Sequence, residues 1–370
     1  MPLSVHIIVA ARPNFMKAAP LYRELARRHG CRPVLVHTGQ HYDADMSEVF
    51  FRDLGLPKPD HHLGIGSGSH AEQTAGVMIA YEKLCRRERP DWTVVVGDVN
   101  STMAATLAAK KLLIPVAHLE AGLRSGDRTM PEEINRVVTD AIADVLWTPS
   151  PDGDVNLLAE GVAAAKIERV GNIMIDAFEL LRARIEAAAG PEKMGLKTGG
   201  YAVVTLHRPS NVDERETLAA VVEALLAIAR RLPVVFPLHP RTRKQLDEFG
   251  LFKRLKAGTG VVLAEPMGYV DFMSLVRAAA GVVTDSGGVQ EETSYLGIPC
   301  LTLRDTTERP VTVSAGTNRL VKIAELAQGI DRVLAGAWPK GRPIELWDGR
   351  TAARAADSLA RFAGIVSGKG

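Results

Sequence analysis

Three acids in this chain stand where a buried strand should end or a helix begin. Asp98 follows the apolar run that closes at Val96-Gly97, and Glu120 follows His118-Leu119. Glu132 belongs to Pro131-Glu132-Glu133-Ile134-Asn135-Arg136, which reads as a helix start. Carboxylates gathered under a dry cleft acquire separated pKa values and can divide the work of acid and base. Taken singly, Asp98 would cap the helix after it, and Glu133 with Arg136 would form an intrahelical pair. Two histidines stand at further strand ends, His207 in Thr205-Leu206-His207-Arg208-Pro209-Ser210-Asn211 and His239 in Leu238-His239-Pro240-Arg241. Either alone would be a satisfied core histidine. Their recurrence at successive strand ends weighs against that.

A second constellation is built for an anion. A short strand runs into Asp285-Ser286-Gly287-Gly288 and then into a helix carrying Gln290, Glu291 and Glu292. Glycines let the backbone approach a phosphate, and the helix start aims free N–H groups at it. A carboxylate one to two turns on, Glu292, suits ribose hydroxyls, and Arg309 offers a fixed cation. The pattern fits a nucleotide diphosphate. Near the N-terminus, Ala11-Arg12-Pro13-Asn14-Phe15-Met16-Lys17 sets Arg12 at a helix entrance, with Pro13 in its first turn and Lys17 just over a turn later. His37-Thr38-Gly39-Gln40-His41-Tyr42 is another polar strand end. Gly64-Ile65-Gly66-Ser67-Gly68 follows no strong strand, so it reads as a flexible active-site loop rather than a dinucleotide fingerprint. No HExxH, CxxC pair or Asp-rich cation loop occurs, so no motif requires a metal or another cofactor.

These residues need a scaffold that repeats strand ends. Apolar runs at 5–10, 33–37, 93–96, 115–119 and 145–148, and again at 201–205, 234–237, 260–263, 281–284 and 299–303, predict strands buried on both faces. Helical patterns separate them, clearest where Leu218, Val222, Leu225 and Ile228 share a face. The alternation in two blocks predicts two doubly wound α/β domains with the polar strand ends facing one cleft. The boundary falls between Gly171 and Gly200, giving domains of about 1–172 and 173–350. A final helix starting at 351, in the stretch 351–370, is placed to pack back on the first domain.

Composition agrees with that size. The 370 residues exceed one ordinary domain, with 46% hydrophobic and 24% charged residues. A formal charge of +2 gives no basis for a nucleic-acid or membrane-surface partner. The cysteines are Cys31, Cys85 and Cys300, an odd and scattered set that fits a reducing cytoplasm. The opening residues carry no basic region or cleavage site of a signal peptide, and no apolar run reaches the length of a bilayer span. A cytoplasmic protein is expected.

The motifs ARPNFMK, GDVNST, HLEAGLRS, PEEINR, TLHRPSN, PLHP, DSGGVQEE and RDTTERP occur in an order and spacing that resemble the bacterial non-hydrolysing UDP-N-acetylglucosamine 2-epimerases, over roughly residues 5–365. The resemblance implies a GT-B type fold, two Rossmann-like domains around a cleft, usually as a homodimer. It implies reversible conversion of UDP-GlcNAc to UDP-ManNAc through elimination of UDP to a 2-acetamidoglucal, then re-addition, for surface polysaccharide. By motif, Asp98, Glu120 and Glu132 would be the acid/base carboxylates, with His207 at the reacting centre or leaving group. Arg12, His239, Ser286, Gly287 and Gly288 would hold the diphosphate and Glu292 the ribose, with Lys17, Arg136 and Arg309 supporting the charge. Gln40, His41 and Arg208 match a site where some members bind a second UDP-sugar as activator. The loop Gly66-Ser67-Gly68-Ser69-His70 lacks an arginine, so substrate activation is expected to be weak or differently built. The chain departs from the family at Asn14-Phe15-Met16 and Pro209-Ser210. That leaves room for a modified substrate, a UDP-2,3-diacetamido uronic acid or a UDP-6-deoxy sugar; the rival readings are hydrolysis to free sugar and a GT-B glycosyltransferase. The acid trio argues against the last, because a transferase moves no proton at C2.

Overall fold

The computed structural model describes residues 2–39 and 54–364, and of Arg12 the backbone alone. The chain divides into two compact units, Met1–Leu180 with Glu345–Gly370, and Leu181–Ile344. The division passes through the helix Ile173–Ala187.

In the first unit a seven-stranded sheet has the order β3-β2-β1-β4-β5-β6-β7. The strands are β1 (Leu3–Val9), β2 (Cys31–His37), β3 (His61–His62), β4 (Trp92–Val96), β5 (Val116–Leu119), β6 (Val145–Thr148) and β7 (Ile167–Arg169). Every pairing is parallel. β4, β5 and β6 are buried along their whole length, as strands with helices on both faces must be. The second unit repeats the scheme with six parallel strands in the order β10-β9-β8-β11-β12-β13. These are β8 (Ala202–Thr205), β9 (Val234–Pro237), β10 (Val261–Ala264), β11 (Gly281–Thr284), β12 (Cys300–Thr302) and β13 (Asn318–Leu320). Both sheets are therefore Rossmann-like and doubly wound.

Three strands escaped the sequence pattern: β3 (His-His), β7 (Ile-Glu-Arg) and β13 (Asn-Arg-Leu). Each lies at a sheet edge, where solvent contact removes the need for a continuous apolar run. The central strands lie within a residue or two of their predicted bounds.

The cores follow from the same alternation. Ile8, Val36, Val95, Val116 and Leu146 pack with Tyr81 and Leu84 of the helix His70–Arg87 in the first unit. Val204, Val234, Val283 and Leu301 pack with Leu218, Val222, Leu225 and Ile228 of the helix Arg215–Ala229 in the second. The C-terminal helix Thr351–Phe362 belongs to the first unit. Asp176 caps it by accepting the N–H groups of Thr351 and Ala352 at 3.0 and 2.8 Å. Ser358 receives the Trp147 indole N–H at 2.7 Å, and Arg28, which caps the C-terminus of the helix Arg12–Arg27, reaches Asp357. Among the described residues no helix is long and apolar enough to cross a membrane.

Strand order reverses between β1 and β4 in one sheet and between β8 and β11 in the other. Ligands of open α/β sheets bind beyond the strand ends at such reversals. Those four strand ends lead into Arg12, Asp98, His207 and Asp285-Ser286, while Glu120 follows β5 and His239 follows β9.

Candidate active site

In the first unit, the helix Arg12–Arg27 opens immediately after β1, with Pro13 in its first turn. The Asn14 carboxamide oxygen accepts the Ala11 N–H at 3.1 Å while its NH₂ donates to the Val96 carbonyl at 3.0 Å, which ties the helix start to the end of β4. One turn on, Lys17 forms an ion pair with Glu120, both side chains at least nine-tenths buried. A methyl group on Gly97 would lie 3.4 Å from Lys17 Nζ, so the lysine rests against the turn that presents Asp98. Glu120 has φ +76°, a left-handed conformation that costs a non-glycine residue about 1–2 kcal/mol. Strain of that kind is held in place by its surroundings and collects at functional sites.

Asp98 does not cap the next helix. That helix, Asn100–Lys111, starts from Val99 with no side-chain cap, because Asp98 turns instead to Arg136, whose Nη1 lies 3.3 Å from its carboxylate. Arg136 is 2% exposed and Asp98 about a third, so the arginine is fixed and the acid faces outward. Asn135 donates to the Asp98 carbonyl at 2.9 Å and to the Asn100 carboxamide at 3.2 Å. Glu132 and Arg136 stand four apart on the helix Pro131–Ile142, hence on one face. Glu133 does more than pair along its helix. It is buried and accepts the N–H groups of Ser125 and Gly126 at 3.0 and 2.9 Å, with Arg136 Nε at 3.4 Å. The glycine-rich stretch 64–68 leads into the helix His70–Arg87, which Ser69 caps reciprocally with Glu72. Gln40, His41 and the Arg12 side chain lie outside the described residues.

In the second unit, His207 follows β8 and meets Asp285, which follows β11, with Nδ1 3.1 Å from the carboxylate. Asp285 is fully buried and also accepts the backbone N–H groups of His207 and Arg208 and the Asn211 NH₂ at 3.0, 2.9 and 3.0 Å. Burial alone would raise its pKa; the hydrogen bond and charge of His207, then Asn211 and the Arg208 N–H, outweigh this and hold it below the usual aspartate value. Only its place in the Asp-Ser-Gly-Gly motif had marked this residue. His239 caps the helix Pro240–Glu248 by accepting the Arg241 N–H at Nδ1, 3.2 Å, and its ring lies 5.2 Å from that of His207. Burial, then His207, lowers its pKa. The Arg208 guanidinium donates to the Asp285 carbonyl at 3.0 Å.

The helix Gly287–Leu296 begins at Ser286, whose side chain makes no capping bond, so no side-chain cap covers the first-turn N–H groups. Neither Gly287 nor Gly288 has positive φ. Their value is space: a methyl on Gly287 would lie 2.5 Å from Arg309 Nη1, while nothing lies within 4 Å of one on Gly288. Arg309 pairs with Glu291 and Glu308, each at 2.7 Å, and Glu308 also takes Arg304 at 2.7 Å. Burial pushes the Glu308 carboxyl up, but the Arg309 and Arg304 charges reverse this and hold it far below the usual range. Glu292 is buried and accepts the Tyr269 O–H at 2.6 Å. Its pKa is raised to about 8, chiefly by burial; the Tyr269 bond opposes the shift and the Glu291 charge adds to it. Arg304 and Glu308 lay unremarked within the RDTTERP run, and Tyr269 carried no sequence signal. Among the described residues no group of three or more His, Cys, Asp or Glu could hold a metal ion.

Comparison with known proteins agrees with the two-sheet fold. The family model of UDP-N-acetylglucosamine 2-epimerase matches residues 23–360. A UDP-N-acetylglucosamine 2-epimerase of Methanocaldococcus jannaschii is 44% identical over 86% of this chain and 88% of its own. A UDP-2,3-diacetamido-2,3-dideoxy-D-glucuronate 2-epimerase of Pseudomonas aeruginosa is 42% identical over 87% and 89%. The crystal structure of the Methanocaldococcus jannaschii UDP-GlcNAc 2-epimerase in complex with UDP-GlcNAc and UDP superimposes with a TM-score of 0.88 at 40% identity, covering 97% of this chain and all of that one. The fold is thus of the GT-B-like type, and the chain belongs to the UDP-N-acetylglucosamine 2-epimerase family.

Proposed function

We propose that this protein interconverts UDP-GlcNAc and UDP-ManNAc by inverting C2 of the sugar. A carboxylate of the first unit takes the C2 proton, and the electron pair forms the C1–C2 double bond as the C1–O bond to UDP breaks. The products of that step are 2-acetamidoglucal and UDP. Re-addition returns UDP to C1 while a second carboxylate delivers a proton to the opposite face of C2. Asp98, Glu120 and Glu132 share these two transfers, and His207 assists at the reacting centre or the leaving group.

The second unit holds the departing UDP. Ser286, Gly287 and Gly288 offer backbone N–H groups, His239 adds a polar contact to the diphosphate, as does Arg12 of the first unit, and Glu292 receives the ribose hydroxyls. Lys17, Arg136 and Arg309 balance the charge. A leaving diphosphate is stabilised by helix N-termini and fixed cations that need no rearrangement at the moment of reaction. The observation that carries the reading is the set of acids held by buried cations, Glu120 by Lys17 and Asp98 by Arg136. A glycosyltransferase has no use for acids that move a proton at C2. The protein would act in the cytoplasm as a homodimer and supply ManNAc-type units for polysaccharide.

Proton NMR of the protein with UDP-GlcNAc in D₂O tests this. UDP-ManNAc with deuterium at C2 and little free sugar is the expected result; free ManNAc with UDP would assign a hydrolysing enzyme instead. A second reading rests on the Pseudomonas aeruginosa relative, whose 42% identity is close to the 44% of the UDP-GlcNAc enzyme. Turnover of the 2,3-diacetamido uronic acid sugar with UDP-GlcNAc inert would select it.

A further inference from the structure

Behind the three acids of the first unit lies a buried pair, His118 and Asp140, both side chains fully shielded from solvent. His118 is on β5, two residues before Glu120, and Asp140 is on the helix Pro131–Ile142, about two turns after Glu132. Nδ1 of His118 lies 2.6 Å from an Asp140 carboxylate oxygen, and Nε2 lies 2.8 Å from the carbonyl of Gly97, the residue before Asp98. The second Asp140 oxygen accepts the Gly122 N–H at 3.0 Å and meets Arg124 Nη1 at 2.8 Å.

Both ring nitrogens of His118 are engaged, one by the Asp140 carboxylate and the other by the Gly97 carbonyl. Burial would raise the Asp140 carboxyl, but His118, then Arg124, hold it below the usual aspartate value. One hub therefore touches the turn before Asp98, the strand before Glu120, the turn after it and the helix whose first turn carries Glu132. A buried ion pair is a poor means of stabilising a core compared with apolar packing. Its two-ended, directional bonds instead fix the relative placement of the segments they join.

We propose that His118 and Asp140 are positioning residues that hold the segments bearing Asp98, Glu120 and Glu132 in one geometry for proton transfer at C2. The proposal rests on the acid/base reading given above. Alignment of that kind matters because a displacement near 1 Å can slow a reaction about 100-fold without loss of binding.

His118→Gln in the full-length protein removes the ring that bridges Asp140 and Gly97. The measurements are UDP affinity by calorimetry, kcat and KM for UDP-GlcNAc, melting temperature, and the primary isotope effect on kcat with substrate deuterated at C2. The expected result is UDP affinity within about twofold of wild type, kcat lower by about 100-fold and an isotope effect larger than wild type. A kcat that falls only with the folded fraction, at an unchanged isotope effect, would assign the pair a structural role and overturn the proposal. If His118→Gln does not fold, Asp140→Glu keeps a carboxylate and moves it by one methylene; it is expected to raise the isotope effect too, and wild-type values would overturn the proposal. A wild-type enzyme that exchanges no C2 hydrogen overturns the acid/base reading and the pair's role together. Exchange in the wild type with an unchanged isotope effect in the variants overturns the pair alone.

Discussion

The His207 ring lies 3.1 Å from the buried carboxylate of Asp285, joining the ends of β8 and β11 where the strand order of the second sheet reverses. Removing that carboxylate leaves two backbone N–H groups and one N–H of the Asn211 carboxamide, whose other N–H goes to the Leu303 carbonyl, without their acceptor in a dry setting. Asp285→Ala should lower stability by roughly 3 kcal/mol, read as a shifted urea midpoint. The pH dependence has a definite sign. The folded carboxyl lies below its unfolded value, so its contribution is complete above the ordinary aspartate range and is lost as pH falls through the depressed value. Asp285→Ala should therefore lose less stability in acid than wild type; an equal loss would place the acid sensitivity elsewhere.

Asp98 tests the chemistry apart from nucleotide binding. Asp98→Asn keeps the side-chain size but cannot accept a proton. Epimerisation should fall by about 10²–10⁴-fold, while UDP affinity stays near wild type. Affinity that collapses along with activity would make Asp98 a structural partner of Arg136.

Much of this site was legible in the sequence because strand ends in a doubly wound sheet are punctuated by polar residues. Asp98, His207, His239 and Ser286 each follow a continuous apolar run, and that contrast marks them. Edge strands such as β7 and β13 lack the run and were lost. So were residues whose role is set by a partner far along the chain. Tyr269 meets Glu292 across 23 residues of sequence and His118 meets Asp140 across 22, separations that no local pattern encodes. The reason for Gly287 was equally hidden, since the Arg309 guanidinium that occupies its Cβ position comes from another loop.

Glu120 carries measurable strain. Glu120→Ala and Glu120→Gly both remove the partner of Lys17, so their difference isolates the backbone at φ +76°. Relief of the left-handed penalty favours glycine, and its freer unfolded chain offsets part of the gain. The glycine variant should be more stable than the alanine variant by about 0.5–1 kcal/mol in urea unfolding. Equal stabilities would mean that the loop relaxes once the carboxylate is gone.

Glu292 gives the opposite pH signature to Asp285. Its folded pKa is raised to about 8 from the model-peptide value of 4.5, so between those values the folded protein keeps a proton that the unfolded chain releases. Its stabilising effect is complete below the lower value and is lost as pH rises through the upper one. Glu292→Gln, which cannot titrate, should flatten that part of the stability profile. Tyr269→Phe removes the one contact that lowers the carboxyl and should extend the falling limb to higher pH. Ribose hydroxyls bind a carboxylate better than its acid, so UDP should tighten as pH rises from 7 towards 8.5 and release protons in doing so. Calorimetry in two buffers of different ionisation enthalpy measures that release. A wild-type heat that does not change with buffer, or a Glu292→Gln variant with the same pH-dependent affinity, would remove Glu292 from the ribose contact.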